Sequence, residues 1–233
     1  MSAGASCLTI NRMNALRLRW IPLSLVLLSL VPVGGGAFRV TQLASGAEVT
    51  EANARFFAAP VPVVLHIFGA SLFLVLGAFQ FDGVLRRKRP GWHRAAGRLI
   101  VPCGLTAALS GVWMALFYDL PAEDEGILTV VRVFFGSAMA AALILGFAAI
   151  RRRDYARHRA WMIRGYAIGL GAGTQAFTLT SVLLWQNPPD SLGRVVGHTA
   201  GWLINLAVAE WIIRFKPPAM LPDTAVAGQA VPA

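Results

Sequence analysis

The sequence has few charged residues, few cysteines and few histidines, and each shortage excludes a class of protein. Only 14% of its 233 residues are charged and 56% are hydrophobic, whereas about a quarter of a soluble domain is charged. The two cysteines, Cys7 in a polar leader and Cys103 in an apolar segment, exclude a disulfide framework and a thiolate metal site. Paired carboxylates, zinc-ligand spacings and nucleophile–base motifs are missing too, so no catalytic residue is assigned. The remaining apolar content is typical of a chain that lies in lipid.

Long apolar runs, separated by short polar loops, predict an all-α fold: a polytopic membrane helix bundle. Each run has about 17 to 25 residues, the length that crosses the hydrocarbon core of a bilayer. A polar leader (1–19) precedes a membrane domain (20–216), and a Pro/Ala-rich tail (217–233) that we predict to be disordered follows it. Six transmembrane helices are predicted, at 20–38, 61–81, 97–118, 126–150, 161–185 and 196–213.

The distribution of charge predicts the orientation of these spans. The net charge of +10 would suit a nucleic-acid partner, but the Lys and Arg residues lie in short loops between apolar runs, which argues against one. All of them fall on one side of the predicted bundle except Arg39, Arg55, Arg132 and Arg194. The positive-inside rule therefore predicts a cytoplasmic N-terminus and a cytoplasmic C-terminus, with the basic loops on anionic lipid headgroups.

A secretory signal peptide is the alternative interpretation of the first apolar run. Basic residues precede the run, and Gly34-Gly35-Gly36-Ala37 has the small residues of a cleavage site. We favour a first membrane span, because the charges around the later spans fit best with the N-terminus inside.

Topology sorts the four histidines into two pairs. His66 and His198 lie near the outer ends of the second and sixth predicted spans, and His93 and His158 lie at the cytoplasmic starts of the third and fifth. Small residues follow His66, His93 and His158 at helical spacing, with Phe73 as the bulky exception. Opposed imidazoles with little bulk beneath them suit the iron of a b-type haem. Close helix packing explains the same small residues, and lipid-headgroup binding explains the two cytoplasmic histidines.

Ionisable residues inside predicted spans usually face a partner within the bundle. Arg164 and Glu210 lie at similar depth, so they either form an ion pair or extend separately to the headgroups. Arg132 is suited to an acidic loop residue or to an anion such as a haem propionate. If haem binds, Arg98, Arg132 and Arg164 are the candidate propionate partners of a membrane electron-transfer protein. The alternative function is a non-redox carrier or accessory subunit, with a polar path lined by Gln80, Arg132, Arg164 and Glu210.

Several segments resemble the bacterial integral-membrane proteins catalogued as domain of unknown function 2306. The resemblance covers roughly residues 60–213 and is carried by His66, Gln80-Phe81, His93-Arg94-Ala95-Ala96-Gly97-Arg98, His158-Arg159-Ala160-Trp161-Met162-Ile163-Arg164-Gly165-Tyr166-Ala167, Asn205 and Glu210. It implies a multi-pass protein of the bacterial inner membrane and no established activity. Two positions depart from the family pattern: His198 is not a family position, and Gln175 stands where an arginine is expected.

The two basic hairpins share a pattern that predicts where a cytoplasmic site would lie. His158, Arg159 and Arg164 repeat the order of His93, Arg94 and Arg98. A site on this side is expected between the starts of the third and fifth spans, with Glu210 as the nearby acid.

Overall fold

We describe the fold from a computed structural model, which describes residues 3–187 and 190–215, with side chains from residue 20 onward. The predicted tail (217–233) lies outside these residues. The described chain is helical apart from short connections. Its nine α-helices are α1 (Ala3–Ser45), α2 (Ala54–Ala58), α3 (Pro60–Gln80), α4 (Gly83–Lys88), α5 (Pro90–Phe117), α6 (Ile127–Arg151), α7 (Tyr155–Gly169), α8 (Gly171–Trp185) and α9 (Ser191–Phe215), with one 3-10 turn at Ala122–Asp124.

Four helices are long and apolar enough to cross a membrane: α1 from Trp20, α3, α5 and α6. The bent pair α7 and α8 could form a fifth crossing. The sixth predicted span corresponds to α9, which has a sufficient length of 25 residues but is interrupted by polar residues that include Arg194, Asn205 and Glu210. The all-α membrane bundle is therefore confirmed, and length and composition identify four or five crossings in the described residues.

The first helix does not end where the sequence predicted. The predicted span ended at Phe38, but α1 continues to Ser45. It therefore runs through Gly34-Gly35-Gly36, the glycines that the signal-peptide interpretation assigned to a cleavage site. A Cβ added at Gly36 would lie 2.8 Å from the Ile67 side chain of α3. The glycine thus allows α1 to approach α3 closely, which is the ordinary use of small residues between membrane helices.

The predicted fifth span is broken at Leu170, where α7 and α8 meet at an angle of 42°. Glycine at the start of α8 lets α9 pack against the break, because a Cβ at Gly171 would collide with the Trp202 ring of α9. The Asn205 side-chain amide donates a hydrogen bond of 3.1 Å to the Ala167 carbonyl beside the break. A side chain of α9 thus satisfies a backbone group near the bend, as a discontinuous helix in lipid requires.

Side chains of α8 donate hydrogen bonds to α9. Thr174 Oγ1 donates to the Asn205 side-chain oxygen at 2.8 Å, and two further bonds reach the backbone. Thr178 Oγ1 donates to the Gly197 carbonyl at 2.7 Å, and Gln175 Nε2 donates to the His198 carbonyl at 3.0 Å. In both bonds, a side chain of α8 reaches a backbone oxygen of α9.

Phe73 fills the centre of the bundle. Its side chain is 1% exposed, and Cβ atoms added at Gly104 of α5 or Gly169 of α7 would lie 2.6 or 2.7 Å from its ring. Tyr166 packs beside it with a centroid distance of 5.6 Å and donates a hydrogen bond of 2.8 Å to the Leu74 carbonyl. The small residues that share helical faces with His93 and His158 therefore receive protein side chains here, as close helix packing predicts.

The bundle has two ends that differ in charge. The last turn of α3, α4, the start of α5 and the α6–α7 turn form what we call the basic end. The opposite end contains α2, the 3-10 turn and the starts of α3, α6 and α9. Each end contains one group of polar residues, and the core around Phe73 lies between them.

Candidate functional site

A cavity of about 400 Å³ lies within the bundle and extends to its opposite end. Its inner wall is apolar and includes Phe73, Leu74, Met139 and Ile168. Its outer part is polar and is lined by Arg55, His66, Tyr118, Asp124, Arg132, Gln175 and His198. Phe73 lies two helical turns beyond His66 on α3, so the cavity extends about 10 Å from its polar part into the core.

Asp124 is the centre of the polar part. It is 6% exposed, and its carboxylate accepts from Arg132 at 2.9 Å and from Arg194 at 2.5 Å. Asp124 is the last residue of the 3-10 turn. Thr129 donates a further hydrogen bond of 3.3 Å to the backbone carbonyl of Asp124. Burial raises the pKa of Asp124, but the hydrogen bonds and charges of Arg132 and Arg194 outweigh that effect and hold the pKa below its ordinary value.

Two further arginines lie near these ion pairs. Arg39 and Arg55 place their guanidinium groups over the Phe56 ring, 4.3 and 4.6 Å from its centroid. Burial lowers the pKa of Arg55; Asp124 opposes this effect, and the positive charges of Arg39 and Arg132 add to it. Two guanidinium groups thus bind the buried carboxylate, Arg55 interacts with it electrostatically, and Arg39 lies beside Arg55.

Sequence reasoning did not place Arg39, Arg55 or Arg194 in a site. It did allow an acidic loop residue as a partner of Arg132, and Asp124 is that residue. The signal was present, because Arg39, Arg55, Arg194 and Arg132 were the exceptions to the one-sided distribution of positive charge. The structure brings all four exceptions together. Gln175, which departs from the family pattern, also lines this cavity.

The outer histidines both line the cavity. His66 Nδ1 lies 2.8 Å from the Ala107 carbonyl of α5. Because a carbonyl can only accept, this nitrogen carries the proton and Nε2 keeps the lone pair. The ring rests on Gly111, where an added Cβ would lie 3.2 Å from His66 Cε1. His198 packs near Trp202 at a centroid distance of 6.4 Å.

The other two histidines lie together at the basic end, away from the cavity. His158 Nδ1 donates to the Gly146 carbonyl at 2.9 Å, so its Nε2 also keeps the lone pair. His93 lies close enough to His158, Arg86 and Arg94 to interact with them electrostatically. His93 Nδ1 is buried and has no hydrogen-bond partner in the described chain.

Of the two alternatives for Arg164 and Glu210, the structure shows the ion pair. Arg164 Nε and Nη2 donate to the two carboxylate oxygens at 2.5 and 3.0 Å, and its guanidinium lies 4.9 Å from the Trp161 ring centroid. Arg164 is thus already paired with an acid, whereas Arg98 is exposed.

The residues that were grouped into a polar path do not line one continuous space. Arg132 lines the cavity, while Gln80, Arg164 and Glu210 do not. Arg159 lies at the basic end, near Arg86. Within the described residues, no group of three or more His, Cys, Asp or Glu side chains could hold a metal ion.

Comparison with known proteins places the chain in a family. No curated protein and no solved structure matches it. A family model described as predicted membrane protein (DUF2306) matches residues 63–213, which is well over half of the chain. The match includes α4 to α8 and most of α3 and α9. The features that carried the resemblance in the sequence lie within this range. The chain therefore belongs to the predicted membrane protein family DUF2306.

Proposed function

We propose that this membrane protein binds an amphipathic anion in the cavity, as a carrier or an accessory subunit without redox chemistry. The observation that carries the proposal is the cluster of Arg55, Arg132 and Arg194 at Asp124, at the mouth of a space with an apolar inner wall. Guanidinium groups bind carboxylates and phosphates through charge-assisted hydrogen bonds. The cavity volume of about 400 Å³ falls in the usual range for small-molecule sites, about 300 to 1,000 Å³.

The proposal includes a topology of six spans, with α9 as the last and both termini in the cytoplasm of a bacterial cell. The concentration of Lys and Arg at the basic end supports this orientation. The cavity then opens toward the outer face of the inner membrane. A ligand would place its charged group near Arg55 and Arg132 and its apolar part against Phe73 and Met139.

The first test measures binding of oleate, chosen as a simple amphipathic anion, to the purified protein in nanodiscs. We expect oleate to raise the melting temperature more than oleyl alcohol, which has no charge. Arg55→Gln should weaken oleate binding about tenfold, the equivalent of one charge-assisted hydrogen bond. Arg55 is the suitable position, because Arg132 and Arg194 also hold Asp124.

A pair of matched variants tests the location. Ala70 lines the cavity one turn beyond His66, so Ala70→Leu should fill the space and abolish the effect of oleate. Ala141, on α6, is exposed and does not line the cavity, so Ala141→Leu should bind normally. Equal stabilisation by oleate and oleyl alcohol, or normal binding by Ala70→Leu, would reject this assignment.

A b-type haem in the same cavity is the second candidate. It is favoured by His66, whose Nδ1–H bond to a backbone carbonyl is the arrangement found in metal-ligating histidines. His66 and His198 would be the axial ligands, with Arg132 beside a propionate, and the bound group would supply one-electron chemistry. The cytoplasmic pair, His93 and His158, has less support as a haem site. Its candidate propionate partner, Arg164, is already paired with Glu210.

Absorption spectroscopy separates the two candidates. A haem protein purified from haem-replete cells shows a Soret band, and His66→Ala should remove or shift it. A colourless preparation that binds oleate would eliminate the haem candidate and keep the anion proposal.

A further inference from the structure

Two buried polar atoms at the basic end have no hydrogen-bond partner in the described chain: Gln80 Nε2 and His93 Nδ1. They lie at the same level of the bundle, because Phe79 and Trp92, their neighbours in sequence, are in contact at a ring-centroid distance of 6.5 Å. Buried polar groups in folded proteins are nearly always paired, so each exception calls for an explanation. A ligand that accepts hydrogen bonds from both would provide one.

There is room for such a ligand beside His93. Gly97 lies one turn further along α5, on the same helical face. A Cβ added at Gly97 would meet no atom within 4 Å. This glycine therefore differs from Gly104, whose face is occupied by Phe73 and Leu143.

The charged residues that act on the His93 ring are basic, with no acid among them. The arginines among them are Arg86 of α4 and Arg94 of α5. The first turn of α5 contains no acidic residue. The nearby carboxylates are otherwise engaged: Asp82 accepts from the backbone at the start of α4, and Asp154 does so at the start of α7. In the described part of the chain, neither Arg86 nor Arg94 takes part in an ion pair.

We propose that the basic end contains a specific site for one phosphate group, between the last turn of α3, α4 and the first turns of α5. Gln80 Nε2 and His93 Nδ1 donate hydrogen bonds to the phosphate oxygens, and Arg86 and Arg94 balance its charge. The site is independent of the cavity at the opposite end, and the core around Phe73 separates the two. The phosphate belongs either to the headgroup of an anionic lipid or to a soluble phosphate compound.

The experiment compares melting temperatures of the full chain in two kinds of nanodisc, phosphatidylcholine alone and phosphatidylcholine with phosphatidylglycerol. We expect phosphatidylglycerol to raise the melting temperature, and Arg86→Gln to remove at least half of that gain. Arg87→Gln is the matched control, since Arg87 is the next residue of α4 and its replacement changes the net charge equally. If both variants lose the same amount, the effect is diffuse surface charge and the proposal is overturned.

A second variant tests the hydrogen bonds and avoids doubts about folding. Gln80→Leu replaces a buried, unpaired donor with an apolar side chain of similar size and introduces no charge. The protein should therefore fold and remain as stable as the wild type in phosphatidylcholine. It should also lose at least half of the gain from phosphatidylglycerol. An unchanged gain in Gln80→Leu would overturn the proposed site.

Inorganic phosphate, added to protein in phosphatidylcholine nanodiscs, identifies the source of the group. A saturable rise in melting temperature that Arg86→Gln weakens would assign the site to soluble phosphate compounds. A rise with phosphatidylglycerol alone would assign it to a lipid headgroup, and no rise with either probe would reject the site. Arg55→Gln should weaken oleate binding but keep the wild-type rise in melting temperature with phosphatidylglycerol or inorganic phosphate, whichever of the two produces it. Failure of this proposal is therefore distinguishable from failure of oleate binding.

Discussion

Phe73→Ala should lower the free energy of unfolding by about 4 kcal/mol, the usual cost of removing a fully buried aromatic side chain. The ring is 1% exposed and fits against Gly104 and Gly169 of two neighbouring helices. Neither glycine has a side chain that could fill the space after truncation. The measurement is reversible unfolding of the purified protein in mixed micelles, followed by circular dichroism.

Leu72→Ala is the matched control, because Leu72 is the neighbouring residue and is 41% exposed on the outside of the bundle. It should cost much less than Phe73→Ala. A reciprocal test uses Gly169→Ala, whose added Cβ would lie 2.7 Å from the Phe73 ring. This change should destabilise the wild type more than a Phe73→Leu background. Equal losses in Leu72→Ala and Phe73→Ala would contradict the central position of the ring.

Asp124→Asn should lower the free energy of unfolding by about 3 kcal/mol, because it leaves two partly buried guanidinium groups without their counter-charge. This loss of stability is at the lower end of the range for breaking a buried ion pair, since the side chains of Arg132 and Arg194 are 22% and 33% exposed. Thermal unfolding in detergent measures it. Glu125→Gln, an exposed acid in the same loop, should be nearly neutral, and an equal effect of both changes would refute the role of the cluster.

The same contact predicts a pH dependence with a definite sign. The folded-state pKa of Asp124 lies below its ordinary value. Its contribution to stability is therefore complete above the unfolded-state pKa, about 4, and is lost as the pH falls through the folded-state value. Asp124→Asn should remove this part of the acid destabilisation. Unchanged acid sensitivity in that variant would show that other carboxylates account for it.

Local properties of the sequence were sufficient to predict an all-helical membrane bundle and to name Arg164 and Glu210 as candidate partners at equal depth. Apolar run length identifies helices that cross a bilayer, and residues at equal depth on adjacent spans are suitable partners. The bend at Leu170 was not predicted, because Gly171 looks the same in the sequence whether it faces lipid or the Trp202 ring. The same ambiguity led to the expectation of space for a macrocycle beneath the histidines.

The candidate site at the mouth of the cavity was only partly predictable. His66, His198 and Arg132 were singled out because ionisable groups are rare in apolar runs. Asp124 and Arg55 lie in loops and a short helix, where charged residues are ordinary, and only the folded chain brings them together. Their distance in sequence, 69 residues apart by their numbers, left no local pattern to detect.

Two of the hydrogen bonds between α8 and α9 depend on the side chains of α8 alone. Thr178 and Gln175 supply the donors, whereas Gly197 and His198 of α9 supply backbone carbonyls, which no substitution can delete. Substitution at Thr178 or Gln175 should therefore remove a bond that no substitution of its acceptor residue on α9 can remove. Elsewhere α9 contributes its own side chain, because Asn205 bonds to both α7 and α8. Gly201 is constrained by packing, since any larger side chain would press against Gln175.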